Sequence, residues 1–282
     1  MEGVGASLAT GIPASLFYVV MRIAPPQLRS RMWKWLYQRM ANSQIDSDFR
    51  FMNYGFEEDS RSLQPLLNGG DEPNRLFIQL YNMNIRDTEL QGKSVLEVGS
   101  GRGGGASWIA KTMHPETLVA VDYSGKAVRL CSKWYSNQKN LIFQEGNAER
   151  LPFESNIFDV VYNVESSHCY ANIPAFLSEV HRVLKPEGKF CWTDLRDRKS
   201  MDNLHGQFLE AGFNIDSNSE ITENVVSALD KIDRDRRKMI RDRAPASLRK
   251  SFETFGGVPG TPIYEALKSG RISYFRYRLT RH

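Results

Sequence analysis

The sequence is poor in residues that would staple it or hold a metal. Its three cysteines, Cys131, Cys169 and Cys191, are scattered without a CxxC pair. That excludes a disulfide framework and a cysteine-based zinc site, and it fits a reducing compartment. The five histidines do not join them at metal-ligand spacing, so no metal is expected. Charge of one sign is also scarce: a net +4 over 282 residues argues against a nucleic-acid partner unless it is clustered. No uninterrupted apolar run reaches the ~20 residues of a spanning helix. No glycine run closes on Gly-Lys-Ser/Thr, which excludes a Walker phosphate loop. Repeats and low-complexity tracts are missing as well. What remains is an ordinary globular composition, 41% hydrophobic and 25% charged, long enough to bury one large core.

The N-terminus is apolar from Leu8 to Ala24, but Gly11, Pro13 and Arg22 interrupt it, and Glu2 stands where a signal peptide carries basic residues. Arg29, Arg31, Lys34 and Arg39 then alternate with Trp33, Trp35, Leu36 and Tyr37. Basic side chains among large aromatics suit a helix lying in a membrane interface. The same pattern suits a helix packed on the domain with a solvated basic face. Residues 1–45 are read as an extension. The expected location is the cytoplasm, with peripheral membrane contact through residues 1–40 as the open alternative.

The chemistry begins at "VLEVGSGRGGGASWIA", Val95 to Ala110. A buried strand, "SVLEV", runs into glycines, and "GASWIAKTM" opens a helix, the setting of a nucleotide site. Gly99, Gly101 and Gly104 fit the dinucleotide pattern GxGxxG, and Gly99, Gly101 and Gly103 fit GxGxG. Either match alone is weak. Glu97 separates them. A carboxylate at the end of this strand repels a pyrophosphate and favours a ligand bearing an ammonium or a sulfonium, as S-adenosylmethionine does. A second strand, "TLVAVDYS", ends in Asp122, about ~20 residues beyond the loop, where an acid grips ribose hydroxyls. The strand "LIFQEG" leads to "NAERLPF", whose Asn147 and Ala148 can meet an adenine edge. "FDVVYNV" then runs into "ESSHCY". Ile173, Phe176, Leu177, Val180, Val183 and Leu184 repeat at helical spacing, Pro186 and Gly188 break that helix, and "KFCWTDL" resumes the sheet. The final strand is "ISYFRYRLT".

Glu97-Val-Gly-Ser-Gly-Arg-Gly, Asp122, "NAERLPF", "FDVVYNVES" and "EVHRVLKPEGKF" resemble the successive motifs of class I S-adenosylmethionine-dependent methyltransferases. More narrowly, "FMNYGFEED", "DEPNR", "GGGAS", "NVESSHCY", "DLR" and "GVPGTPIYEALKSGRISY" are similar to the phthiotriolone/phenolphthiotriolone dimycocerosates methyltransferase group of mycobacteria. The likeness covers the chain after about residue 50. It implies an α/β, Rossmann-like, seven-stranded, mostly parallel sheet with helices on both faces, an N-terminal helical cap and an antiparallel last strand. It also implies O-methylation of a lipid or polyketide hydroxyl. Residues 46–282 are expected to be the methyltransferase domain, with a substrate lid at about 198–260. Two departures stand out: Asn147 replaces the family's usual Asp, and the N-terminal extension has no clear counterpart. An amide still hydrogen-bonds an adenine edge, so altered affinity is expected at Asn147 rather than lost binding.

The expected donor contacts are Glu97, Gly99, Ser100, Gly101, Gly103, Asp122, Tyr123, Asn147, Ala148 and Asn163. Methyl transfer to a hydroxyl needs the two reactants held close and dry and the hydroxyl proton removed, a task suited to histidine. His168 follows the fourth strand, where the crevice of such a sheet opens. Glu165, three residues earlier, is expected either to orient His168 or to sit near the donor. Tyr54, Phe56 and Tyr170 are expected against donor or acceptor, although core packing accounts for such aromatics equally well. The mixed charges from Asp230 to Arg243 read as a solvated helix face, or as a basic face for anionic lipid headgroups. A nicotinamide-dependent oxidoreductase, a carbon or nitrogen methyltransferase and a non-catalytic adenosyl-binding protein are the rival readings.

Overall fold

Apolar residues cluster in short runs and recur at helical spacing along longer segments, and both patterns become real elements. In a computed structural model of the chain, residues 49–244, 246 and 249–282 are described. The extension at 1–45 and its membrane alternative lie outside the described residues. Seven strands, β1 Ser94–Val98, β2 Thr117–Asp122, β3 Leu141–Glu145, β4 Phe158–Val164, β5 Leu184–Asp197, β6 Phe213–Glu220 and β7 Ile272–Arg281, form one sheet in the order β3-β2-β1-β4-β5-β7-β6. The first five pair in parallel. β7 inserts antiparallel between β5 and β6, so the mostly parallel sheet with an antiparallel last strand is as expected. Strand order reverses between β1 and β4, and a crevice opens there beyond the carboxyl ends of the strands.

Around the sheet lie α1 Arg75–Ile85, α2 Gly104–Thr112, α3 Gly125–Trp134, α4 Ile173–Val183, α5 Arg198–Glu210, α6 Thr222–Arg243, α7 Arg249–Phe255 and α8 Pro262–Lys268. Several begin on side-chain caps. Ser124 Oγ accepts from the Ala127 N–H, Asn172 Oδ1 from Ala175 and Asp197 Oδ1 from Ser200, each satisfying a donor the first helical turn leaves open. Successive strand residues face opposite layers. Val95 of β1 joins Ile78 of α1 and Ile109 of α2 on one face, while Leu96 and Val98 join Val180 of α4 and Phe208 of α5 on the other. Glu97 therefore shares a face with Val95, under α1. α6 and α8 complete that first layer through Val225, Leu229, Tyr264 and Leu267.

Two details differ from the sequence reading. α4 stops at Val183 and the chain enters β5 at once. Pro186 and Gly188 fall inside that strand, where Glu187 adopts φ +62 and the register against β4 steps between Phe158 and Val160. The stretch expected to form a lid from residue 198 starts instead with α5, whose Met201, Leu204 and Phe208 pack on the sheet, and with β6, the sheet's outer strand. An apolar stripe at i, i+3 and i+7 outweighs the polar appearance of that stretch. α6, which follows, joins the first core layer through Val225 and Leu229.

Candidate active site

The parallel strands share a terminal feature. Glu97 lies at the end of β1, Asp122 at the end of β2, Glu145 at the end of β3, Glu165 just past β4 and Asp194 near the end of β5. A crevice ringed by carboxylates is poorly suited to phosphate and well suited to a cation. The glycine loop agrees. Gly99 and Ser100 donate their N–H groups to the Val121 carbonyl, at 2.8 and 3.0 Å, and Gly103 donates to Ser100. Gly101 donates to Asp122 Oδ2 at 2.8 Å, and Gly104, at the start of α2, donates to the Arg50 carbonyl at 3.2 Å. These five loop amides are thus used within the protein rather than left to cradle a pyrophosphate.

Gly99 has φ +84, and a Cβ there would lie 2.3 Å from Ser166 Oγ, so only glycine fits. Gly101, at φ +54, differs: a Cβ there would meet nothing nearer than Met52 Sδ at 3.5 Å. Its bare face is the one turned to open space. Glu97 is buried, and neither of its oxygens makes a hydrogen bond of ordinary geometry. Burial pushes its carboxyl up to about 8, and the nearby Tyr162 and Tyr81 phenols pull it only part of the way back. Burial likewise lifts Asp122 to about 6, against the pull of the Ser124 and Gly101 N–H groups. A buried carboxyl group without a hydrogen-bond partner, in the strand that feeds the glycine loop, fits a cationic ligand.

The other expected donor residues are placed as follows. Tyr123 is exposed beyond β2. Asn147 forms a tight turn, its Oδ1 accepting from the Glu149 N–H, and Ala148 is buried. Asn163 is buried as a strap: its Nδ2 donates to the Val98 carbonyl at 2.8 Å, to Ser166 Oγ at 2.7 Å and to Tyr170 Oη at 3.2 Å. Tyr170 belongs to that strap and packs edge-on against Phe176. Phe56 is buried in the first core layer.

His168 lies in a single helical turn after β4. β4 and β5 pair with Val164 opposite Thr193, which brings this turn against Asp194. His168 Nδ1 lies 2.8 Å from Asp194 Oδ1, and the His168 N–H donates to Asp194 Oδ2 at 2.8 Å. Ser167 Oγ donates to the same oxygen at 2.7 Å, and Arg196 Nη1 lies 3.2 Å away. Burial opposes charge on the imidazole, but Cys169 and Asp194 outweigh it and hold the ring well above its ordinary range. Burial would raise Asp194, yet His168 and Arg196 prevail and keep it below the usual carboxylate range. The orienting contact expected of Glu165 is thus made by Asp194. Glu165 turns elsewhere: its Oε2 accepts from the Tyr54 N–H and the Tyr274 hydroxyl, both at 2.8 Å. Burial raises its carboxyl to about 7, with those two donors pulling the other way. The Tyr54 phenol donates to the Phe255 carbonyl at 3.1 Å.

Asp194, Tyr274 and Arg236 were absent from the sequence-derived site. Asp194 had a legible signal, an acid near the end of a strand in "WTDL". Tyr274 and Arg236 arrive from β7 and α6 and carried none.

This topology and this acid-ringed switch point define an α/β fold of the nucleoside-binding kind, with a crevice suited to a cation. The profile of the methyltransferase domain family matches residues 96–192. The phthiotriol/phenolphthiotriol dimycocerosates methyltransferase of Mycobacterium leprae is 36% identical over 88% of this chain and 91% of its own length. The fatty-acid O-methyltransferase of Mycolicibacterium smegmatis is 38% identical over 86% of this chain and 88% of its own. Among solved structures, the [4+2]-cyclase SpnF superimposes with a TM-score of 0.70 at 15% identity, covering 89% of this chain and 96% of its own. A geranyl diphosphate methyltransferase in complex with SAM gives 0.59 at 16%, covering 83% and 100%. At such identities these two show the fold alone. The chain belongs to the S-adenosylmethionine-dependent methyltransferase family, alongside the phthiotriol/phenolphthiotriol dimycocerosates methyltransferases.

The His168–Asp194 pair generates a pH prediction. A histidine raised in the folded state stabilises the fold fully below its unfolded pKa and loses that contribution as pH rises through the folded value. In an NMR titration, the His168 ring should titrate above 6.5, and Asp194→Asn should lower its midpoint by about one to three units. A ring titrating below 6.5 in the parent chain would contradict the pairing.

Proposed function

We propose that this methyltransferase acts on the hydroxyl oxygen of an apolar lipid or polyketide acceptor, with His168 as general base. The observation that carries the reading is the His168–Asp194 pair. An ionised Asp194 accepts the Nδ1–H at 2.8 Å, so when the raised ring gives up its second proton the basic lone pair falls on Nε2. Such a base contributes about 10²–10⁴-fold, and orientation of the reactants contributes more. Bound in the crevice, S-adenosylmethionine supplies an electrophilic methyl group on a sulfonium. Glu97, unpaired beneath the loop, is read as its cation partner, Gly101 as the bare surface it lies against, and Asp122 as the acid facing its ribose.

An uncharged acceptor is supported by how the nearby cations are engaged. Arg196 is paired with Asp194 and also donates to Ser167 Oγ at 2.8 Å. Arg236 donates to the Gly256 and Asn53 carbonyls. A carboxylate acceptor would meet Glu165 and Asp194, while these two arginines are already committed elsewhere. The fatty-acid O-methyltransferase relative keeps a carboxylate acceptor as the second reading. Apolar acceptors reside at membranes, and the basic–aromatic pattern within residues 1–40 supports contact with a bilayer surface there.

With isotope-labelled donor and a lipid extract, the parent chain should label neutral lipids as methyl ethers. His168→Ala should cut that labelling at least about tenfold while donor affinity stays nearly unchanged. Label confined to methyl esters would favour the second reading, and unaltered labelling in the variant would remove His168 from the chemistry. Because Glu97 sits at about 8, it is mostly protonated at pH 7, and a cation beside it draws the proton off. Calorimetry in buffers of different ionisation enthalpy should therefore show proton release on donor binding, with affinity rising up to about pH 8 and then levelling. Glu97→Gln should abolish that release; release unchanged in the variant would shift the assignment to another group. Deleting residues 1–40 should release the chain from anionic lipid vesicles, and a parent chain that never binds them would end the membrane reading.

A further inference from the structure

Glu165 is an acid of the catalytic turn that the proposed chemistry leaves without a task. Its backbone adopts φ +48, the left-handed region that a side-chain-bearing residue enters only when its surroundings hold it there. Its own N–H is tied to the Thr193 carbonyl at 2.8 Å, which anchors the turn to β5. The side chain then reaches across the crevice to the segment from Phe51 to Phe56, more than a hundred residues away in sequence. Oε2 accepts from the Tyr54 amide there and from the Tyr274 hydroxyl behind it.

That segment spans the donor side of the crevice. At one end the Arg50 carbonyl caps the Gly104 amide of the glycine loop. Met52 Sδ lies beside the bare face of Gly101. At the other end Tyr54 meets Glu165, and the Phe56 N–H is bonded to the Leu76 carbonyl at 2.9 Å. Four residues from Arg50 to Tyr54 reach at most about 14 Å, so the segment is a short roof held at both edges. Two helices secure its outer surface: Arg236 of α6 donates to the Asn53 carbonyl, and the Phe255 carbonyl at the end of α7 accepts from the Tyr54 phenol. Glu165 is the side chain of the catalytic turn that meets this roof.

We infer that Glu165 is a positioning residue whose carboxylate clasps the Tyr54 amide and so closes the Phe51–Phe56 segment over the donor. It neither removes the acceptor's proton nor orients His168, which Asp194 already holds. The inference rests on the reading that the donor lies against Gly101. Because the clasp uses an oxygen as acceptor and needs no negative charge, it separates from any acid–base role: a glutamine amide oxygen can take the same two hydrogen bonds.

The test requires no knowledge of the methyl acceptor. S-adenosylhomocysteine is titrated calorimetrically into the full chain, and exchange of the Tyr54 amide is followed by NMR. Glu165→Ala should weaken binding about tenfold or more, the loss expected when two buried donors are left without their acceptor, and should speed Tyr54 exchange at least as much. Glu165→Gln should restore both to within about threefold of the parent. Tyr274→Phe, which removes one donor and leaves the clasp on Tyr54, should fall between them and guards against misfolding of the alanine variant. Glu165→Ala binding as tightly as the parent, or Glu165→Gln as impaired as Glu165→Ala, would overturn the clasp while leaving the methyltransferase reading intact. A parent chain that bound no S-adenosylhomocysteine would overturn both.

Discussion

Burying a carboxylate is costly, and this chain does so repeatedly along one edge of its sheet. Parallel pairing of β1 with β2 and β4, and of β4 with β5, aligns the carboxyl ends of the strands. The acids that close those strands are thereby gathered into one crevice. Each acid is handled differently. Asp194 is matched by His168 and Arg196, Asp122 is satisfied by backbone amides, Glu165 holds the roof, and Glu97 is left unpaired. The unmatched group is the one that calls for a cation. The loop amides that would otherwise welcome phosphate are spent on Val121, Asp122, Ser100 and Arg50.

On the proposed reading, the crevice has a donor half and an acceptor half that differ in construction. The donor half is built from β1, β2 and the glycine loop, where left-handed glycines and short hydrogen bonds leave little freedom. The acceptor half is assembled from pieces far apart in sequence: the turn after β4, the end of β5, Tyr274 of β7, and the helices that follow β6. A fold shared at a TM-score of 0.70 with a protein named as a [4+2]-cyclase shows how little the sheet itself dictates the reaction. Chemistry is set by the side chains that the second half brings to the first.

Much of the first half was legible in the sequence, for physical reasons. A buried parallel strand is a short apolar run, a left-handed turn needs glycine, and an acid at a strand end stands out against its neighbours. "SVLEVGSG" and "TLVAVD" display these features locally, and the sheet takes them up in register. α5 was less legible because its stripe of Met201, Leu204 and Phe208 is set among charged and polar residues. Lys185 to Gly188 carries helix-breaking residues that the chain accommodates as an irregularity within β5 rather than as a loop.

The sequence by itself determined the periodic elements, the glycine turn and the acids that end the strands, since each depends on residues within a few positions of one another. Only the tertiary structure decided which partner each acid has. Whether Glu165 or Asp194 holds His168 turns on the alignment of β4 against β5, and whether Tyr54 meets donor, acceptor or lid turns on where α6 and α7 come to rest. Those outcomes join residues up to two hundred positions apart, and no local pattern encodes a hydrogen bond over that distance.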